Sequence, residues 1–262
     1  MAPRGAEDGD RLMAAAPIHI AGERLMLDPS GVLHWPARRL LCVADLHLEK
    51  GSAFAARGQL LPPYDTRETL ARLLPVLRLY APRRIVFLGD SFHDAAGCTR
   101  LAAADRAALV QALAGIEVTW IAGNHDPAPP IGLPGTAVDD LCDGPLTFRH
   151  IPVPRAVGEV AGHLHPRATA PTRAGAVARP CFVSDGRRVL LPAFGAYTGG
   201  LDTADPAIAG LFPRGGRAFL LGGQRLYSFP LAPRRSSVAM KVESHGGAGA
   251  LPLLAGIKLR NG

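Results

Sequence analysis

The chain has 262 residues, 48% of them apolar and 19% charged, with a formal net charge of +7. That composition excludes a chain disordered throughout, and the length allows one large domain or two small ones. No apolar run reaches the roughly 18 residues of a membrane-spanning helix, and Cys42, Cys98, Cys142 and Cys181 lack the C-x-x-C spacing of a zinc knuckle or disulfide framework.

Residues 1–17 read as a loose leader. Acidic residues precede its short apolar stretch, and Pro17 and His19 interrupt it, so it is not a secretory signal. A soluble protein of the reducing cytoplasm, with no membrane partner, is expected. Residues 18–28 and 31–36 predict a strand hairpin turning at Pro29-Ser30-Gly31. The run Leu40-Leu41-Cys42-Val43-Ala44 ends abruptly in polar residues, as a buried strand delivering a site does. Residues 66–80 carry apolar side chains at helical spacing, with Asp65 or Thr66 as N-cap and Pro75 expected to kink the helix or end it early. A second buried strand over 83–90 follows. A helix over 105–115 is capped by Asp105 and Gly115, and a third strand spans 116–126.

The first half therefore reads βαβαβ, with polar clusters at three successive strand ends, where open α/β sheets bind ligands. From 127 onward helical periodicity fades and short strand patterns take over, with Gly222-Gly223 as a hairpin turn. Two packed sheets with helices outside are expected over 18–232. Residues 233–262 hold Arg234, Arg235, Lys241, Lys258 and Arg260 against Glu243, and predict a disordered basic tail. The rest of the chain keeps only +3, a weak electrostatic case for a polyanionic partner.

Four clusters carry the chemistry: Asp45-Leu46-His47, Gly89-Asp90-Ser91-Phe92-His93, Gly123-Asn124-His125-Asp126 and Gly162-His163-Leu164-His165, with His150 alone between the last two. Carboxylate, imidazole and amide oxygen suit intermediate to hard divalent metals. On an extended backbone Asp45 and His47, and likewise His163 and His165, point to one face. Gly89, Gly123 and Gly162 are expected where the strand turns away sharply.

These motifs, D-x-H, G-D-x-x-H, G-N-H-D, a lone His and G-H-x-H in order over 45–165, resemble the calcineurin-like binuclear metallophosphoesterases. A given tetrapeptide such as Gly-Asn-His-Asp arises about once in 160,000 windows, so the ordered set is not coincidence. The resemblance implies a four-layer αββα sandwich of α/β class. It implies one divalent metal on Asp45, His47, Asp90 and His165, and another on Asp90, Asn124, His150 and His163. Asp90 would bridge them, with Mn²⁺ the expected ion and Fe or Zn the alternatives. His125 would face the substrate phosphate with Asp126 orienting its ring, and His93 would assist, as in the family's nuclease branch. The chemistry implied is in-line attack on phosphorus by a hydroxide bridging cations about 3.5–4 Å apart.

Residues 45–66, 146–152, 162–166 and 191–202 are similar to the bacterial ligase-associated, PdeM-like subgroup, encoded beside a DNA ligase, a helicase and an exonuclease. That implies phosphodiester cleavage of DNA in repair, with a homodimer common in the fold. The alternatives are a phosphatase or small-nucleotide phosphodiesterase, and a non-catalytic scaffold, which the complete set of motif residues opposes. Lys50 and Arg57 follow the first motif and read equally as phosphate contacts or as a solvated loop. Tyr64, Asp65, Phe194 and Tyr197 read either as site rim or as packing. Cys42 reads as core.

Overall fold

The computed structural model describes residues 15–172 and 175–233. The expected leader, apart from its last residues, and nearly all of the basic tail lie outside them. The first sheet begins as an antiparallel meander of β1 (Ala16–Ile20), β2 (Glu23–Leu27), β3 (Leu33–Trp35) and β4 (Leu40–Val43), and continues in parallel through β5 (Arg84–Leu88), β6 (Glu117–Ile121) and β7 (Thr136–Val138). The expected single strand over 18–28 is two strands. Ala21 and Gly22, at φ 50° and 87°, make a tight turn between them that the sequence reading missed.

The second sheet holds β8 (Asp140–Asp143), β9 (Leu146–Arg149), β10 (Glu159–Ala161), β12 (Gly175–Ser184), β13 (Arg188–Leu190), β14 (Gly216–Leu221) and β15 (Leu226–Leu231), with β11 (Arg167–Thr172) paired to β12. Within it only β10 runs parallel to its neighbours, β9 and β13. The Gly222-Gly223 hairpin is present, with Leu221 paired to Leu226.

Strand alternation builds the layers. On β4 and β5, Leu40, Cys42, Val86 and Leu88 face the second sheet and meet Phe148, Val160, Phe182 and Val189. Leu41, Val43, Ile85 and Phe87 face the other way, onto helices α2 (Asp65–Tyr80) and α4 (Ala103–Leu113). Those helices are preceded by the short α1 (Lys50–Ala55) and α3 (Gly97–Arg100), neither read from sequence. Beyond the second sheet the outer layer is thin. Ile208 of α5 (Pro206–Ala209), with Leu211 and Phe212, covers Cys181, Val183 and Leu220. The αββα order expected from sequence is present.

Pro75 does not end α2, which runs unbroken to Tyr80. An interior proline costs about 3 kcal/mol, whereas Leu70, Leu73, Val76 and Leu77, all buried, each contribute roughly 1.5–3 kcal/mol. Packing wins. The N-cap of α2 is Tyr64, with Asp65 already in the helix, because Thr66 spends its hydroxyl on Glu49. Asp105 sits inside the first turn of α4 and does not cap it; Ala102 holds the cap position, and Gly115 lies just past the C-cap at φ 77°. Among the described residues no helix is long and apolar enough to cross a membrane.

Candidate metal centre

The carboxyl ends of β4, β5 and β6 from one sheet and of β9 and β10 from the other meet at one edge of the sandwich. Asp45 and His47 follow β4, Asp90 follows β5, Asn124 and His125 follow β6, His150 follows β9, and His163 and His165 follow β10. Within each sheet, backbone bonds tie neighbouring strand ends together. His47 N–H donates to the Asp90 carbonyl at 2.9 Å, and Gly162 N–H to the His150 carbonyl at 3.1 Å.

Asp45, His47, Asp90, His163 and His165 all lie at φ between 44° and 70°. Non-glycine residues avoid that left-handed region, and such outliers cluster at functional sites. The turning is thus done by the polar residues themselves. Gly89, at φ 72°, fits the expected turn role. Gly123 and Gly162 have another function: a Cβ on Gly123 would stand 2.2 Å from the Asp90 nitrogen, and one on Gly162 would stand 2.6 Å from Asp45 Oδ2. They are glycines for close approach.

Each aspartate has one oxygen fixed by a backbone amide. Asp45 Oδ2 accepts from His163 N–H at 3.0 Å, and Asp90 Oδ1 from His125 N–H at 2.9 Å. The other oxygens face rings. Asp45 Oδ1, buried without a hydrogen-bond partner, is 3.3 Å from His165 Nε2. Asp90 Oδ2 is 3.4 Å from His150 Nε2 and 3.8 Å from His47 Nε2.

Two groups of inward-facing atoms result. In one, Asp45, His47 and His165 converge, with the Nε2 atoms of His47 and His165 3.3 Å apart. In the other, Asp90, His150 and His163 converge, and Asn124 Oδ1 lies 2.9 Å from His150 Nε2. His150 Nδ1 is 2.9 Å from the Leu88 carbonyl, which can only accept. The neutral ring therefore carries its proton on Nδ1 and turns a lone pair on Nε2 toward Asn124 and Asp90, both oxygen acceptors. Acceptors facing acceptors at such range call for positive charge between them, and the nitrogen–oxygen donor set fits a divalent cation.

The electrostatics agree. Burial would raise Asp90, but the His150 hydrogen bond and charge, the His125 amide and His47 bring it down to about 2. Burial holds His47 near 4 against the pull of Asp45, so it is a neutral donor at pH 7. Burial also lowers His163, and His150 adds to that. For His150 burial lowers the pKa, yet the bond to Asp90 and the charges of Asp45 and Asp90 outweigh it and raise the group. The two carboxylates demand a positive charge here, and a proton on His150 competes with a cation for that role.

Around this core stand the remaining predicted residues. The rings of His93 and His125 stack 5.3 Å apart, and both lie within 5.6 Å of the His47 ring. Asp126 does not orient the His125 ring as expected. Its Oδ2 accepts from Phe92 N–H at 2.9 Å, and burial pushes its pKa up to about 7 although that amide opposes the shift. His125 Nδ1 is held by the His93 carbonyl at 2.9 Å, a partner no sequence pattern announces.

Lys50 Nζ donates to the Tyr197 carbonyl at 2.8 Å and sits 5.9 Å from the Phe54 ring centroid. Arg57 is exposed, and its charge, with that of Lys50, helps burial to lower His93. Phe194 is core, beneath the Arg72 guanidinium, while Tyr197 is 41% exposed and Tyr64 55%. Cys42 is buried in the core as expected.

No family model and no curated protein matches the chain. Among solved structures, the crystal structure of Pseudomonas putida nuclease MPE is similar, with a TM-score of 0.64 and 31% sequence identity, over 82% of this chain and 100% of that one. Identity of that level across the whole of the other chain, on the same two-sheet frame, makes this chain a member of the family of that metallophosphoesterase-type nuclease.

Proposed function

We propose that the chain is a binuclear metal-dependent phosphodiesterase that cuts nucleic acid, DNA in a repair setting. The observation that carries the reading is Asp90: one oxygen is locked by a backbone amide, and the other lies between the two groups of ring nitrogens. Asp45, His47, Asp90 and His165 would hold one divalent cation, and Asp90, Asn124, His150 and His163 the other. Bound there, such ions supply Lewis-acid charge to phosphoryl oxygens and acidify water.

The chain's own residues supply the rest. Neutral His47 and His163 present lone pairs. His125, its side chain 41% exposed, turns Nε2 toward Asp90 at the metal centre, where its imidazolium form can meet a phosphoryl oxygen or hand a proton to the leaving oxygen. His93, stacked beside it, and Lys50 and Arg57 on the rim add donors for the charge that spreads over the phosphate oxygens. Asp126 holds the turn carrying Asn124 and His125 by accepting from Phe92.

The name of the similar nuclease supports a nucleic-acid substrate. Manganese and the company of a ligase, a helicase and an exonuclease rest on the sequence resemblance. The test is turnover of bis(p-nitrophenyl) phosphate with added Mn²⁺, together with cleavage of labelled oligonucleotides. Both are expected, and both are expected to vanish in Asp90→Asn. Turnover without metal, or full activity in Asp90→Asn, would overturn the reading. Equal monoester turnover with uncut oligonucleotides would favour a small-substrate phosphatase, which the modest +3 charge outside the tail also suits.

A further inference from the structure

A cavity of about 520 Å³ lies beside the metal centre on the far side of α1, and the proposed chemistry makes no use of it. Its polar wall includes Glu49, Asp65 and Arg100, and its apolar wall Leu60, Leu61 and Pro63. Most of the polar groups are already engaged. Glu49 accepts from the hydroxyls of Thr66 at 2.9 Å and Ser52 at 2.7 Å. Arg100 donates to Ser52 at 2.9 Å and to Asp94 at 2.9 Å.

Asp65 is both buried and unengaged. It is 4% exposed, and its Oδ2 is buried with no hydrogen-bond partner. It sits in the first turn of α2, facing the cavity wall. A buried acceptor left unpaired is costly, and a ligand that brings an N–H donor relieves the cost.

The walls select the ligand class. Glu49, Asp65 and Asp105 oppose a free anion. Arg67 and Arg100 oppose a simple cation, and among the described residues the groups able to hold a metal are the two at the centre. A flat heterocycle, with N–H donors at its edge and apolar faces, suits both walls.

Position ties the cavity to the strand being cut. On α1, Phe54 faces the metal side, where its ring is 5.5 Å from that of His93. Gly51, Ser52 and Ala55 on the same helix line the cavity. A helix is about 10 Å across, so the cavity lies roughly one helix width from His93, within reach of a neighbouring nucleotide.

We propose that this cavity receives a base of the substrate strand that carries an exocyclic amino group, with Asp65 accepting from that group and Leu60, Leu61 and Pro63 against the ring. The inference rests on the nucleic-acid reading of the metal centre. It makes the cavity a source of sequence preference.

The test compares Mn²⁺-dependent cleavage of single-stranded dC and dT oligomers. Each kcat/KM is divided by the same protein's value for bis(p-nitrophenyl) phosphate, which has no base. The native chain is expected to prefer dC by about threefold to tenfold, and Asp65→Asn to lose that preference. Ala55→Trp, at an exposed position on the cavity wall, is expected to raise KM for the dC oligomer about tenfold by occupying the space.

A native chain without base preference overturns the inference and leaves the nuclease reading standing. So does a preference that survives Asp65→Asn, including the case in which that variant only lowers Tm. Turnover of the small diester with no oligomer cut removes the nucleic-acid reading, and this inference with it.

Discussion

His125 Nδ1 stands 2.9 Å from the carbonyl oxygen of His93. A carbonyl cannot donate, so Nδ1 keeps the proton and Nε2 is the working nitrogen, 3.9 Å from Asp90 Oδ2. The neutral ring therefore offers a lone pair at Nε2, and proton donation from that atom requires the imidazolium.

This tautomer sets a leaving-group prediction. His125→Ala should cost about 10²–10⁴-fold in kcat on an oligonucleotide, the usual range for a general acid. The loss on bis(p-nitrophenyl) phosphate should be much smaller, because p-nitrophenolate departs without a proton. Equal losses on both substrates, measured side by side, would remove the acid role.

Asp45 and Asp90 should differ in metal retention. Asp45→Asn removes an oxygen from one group only, whereas Asp90→Asn weakens both. Metal analysis after dialysis against limiting Mn²⁺ should show partial occupancy in the first variant and near-complete loss in the second. The reverse order would count against the bridging position.

The close-approach glycines give a steric prediction. Gly123→Ala places a Cβ 2.2 Å from the Asp90 nitrogen and 2.4 Å from Asp126 Oδ1. Relief by backbone shift should cost about 1–3 kcal/mol and displace Asp90, lowering Tm and metal affinity together. Gly199→Ala, with nothing within 4 Å of the new atom, serves as the control. Denaturant melts and metal titrations of the two variants check this.

Away from the centre, His34 on β3 gives a pH dependence of stability. Burial lowers its pKa from 6.5 although Asp28 opposes the shift. The unfolded chain then binds the proton more readily than the folded one, so stability is full above the unfolded value and falls as pH drops through 6.5 toward the folded value. Urea midpoints should decline over that window less steeply in His34→Gln than in the native chain.

The buried pair Glu159–Arg188, 3.1 Å apart with side chains 1% and 3% exposed, joins β10 to β13. Arg188→Met leaves the carboxylate only the Val153 N–H at 2.8 Å and the Arg149 guanidinium at 3.8 Å, and should cost up to about 3–5 kcal/mol. Because the pair lies toward the interior starts of these strands, metal binding at native temperature should persist, and chemical denaturation with metal analysis checks both parts.

Much of this protein was legible in its residue order. The buried strands β4, β5 and β6 announce themselves as apolar runs, within 40–44, 83–90 and 116–126, that stop at polar residues. The motif residues mark the strand ends because side-chain chemistry and i, i+2 spacing are properties of a short stretch of chain. The turn at Ala21-Gly22, the unbroken α2 and the thin outer layer on the second sheet were not legible, because burial against distant strands outweighs local propensity.

The inward direction of each carboxylate was decided by tertiary structure alone. Asp45 is set by the His163 amide, 118 residues away, and Asp90 by the His125 amide, 35 away. The same holds for the His125–His93 bond, for the left-handed backbone at five polar residues, and for Asp65 left unpaired beside a cavity. A sequence specifies which groups are available near each strand end, but where they point depends on backbone amides and carbonyls, which every residue carries alike.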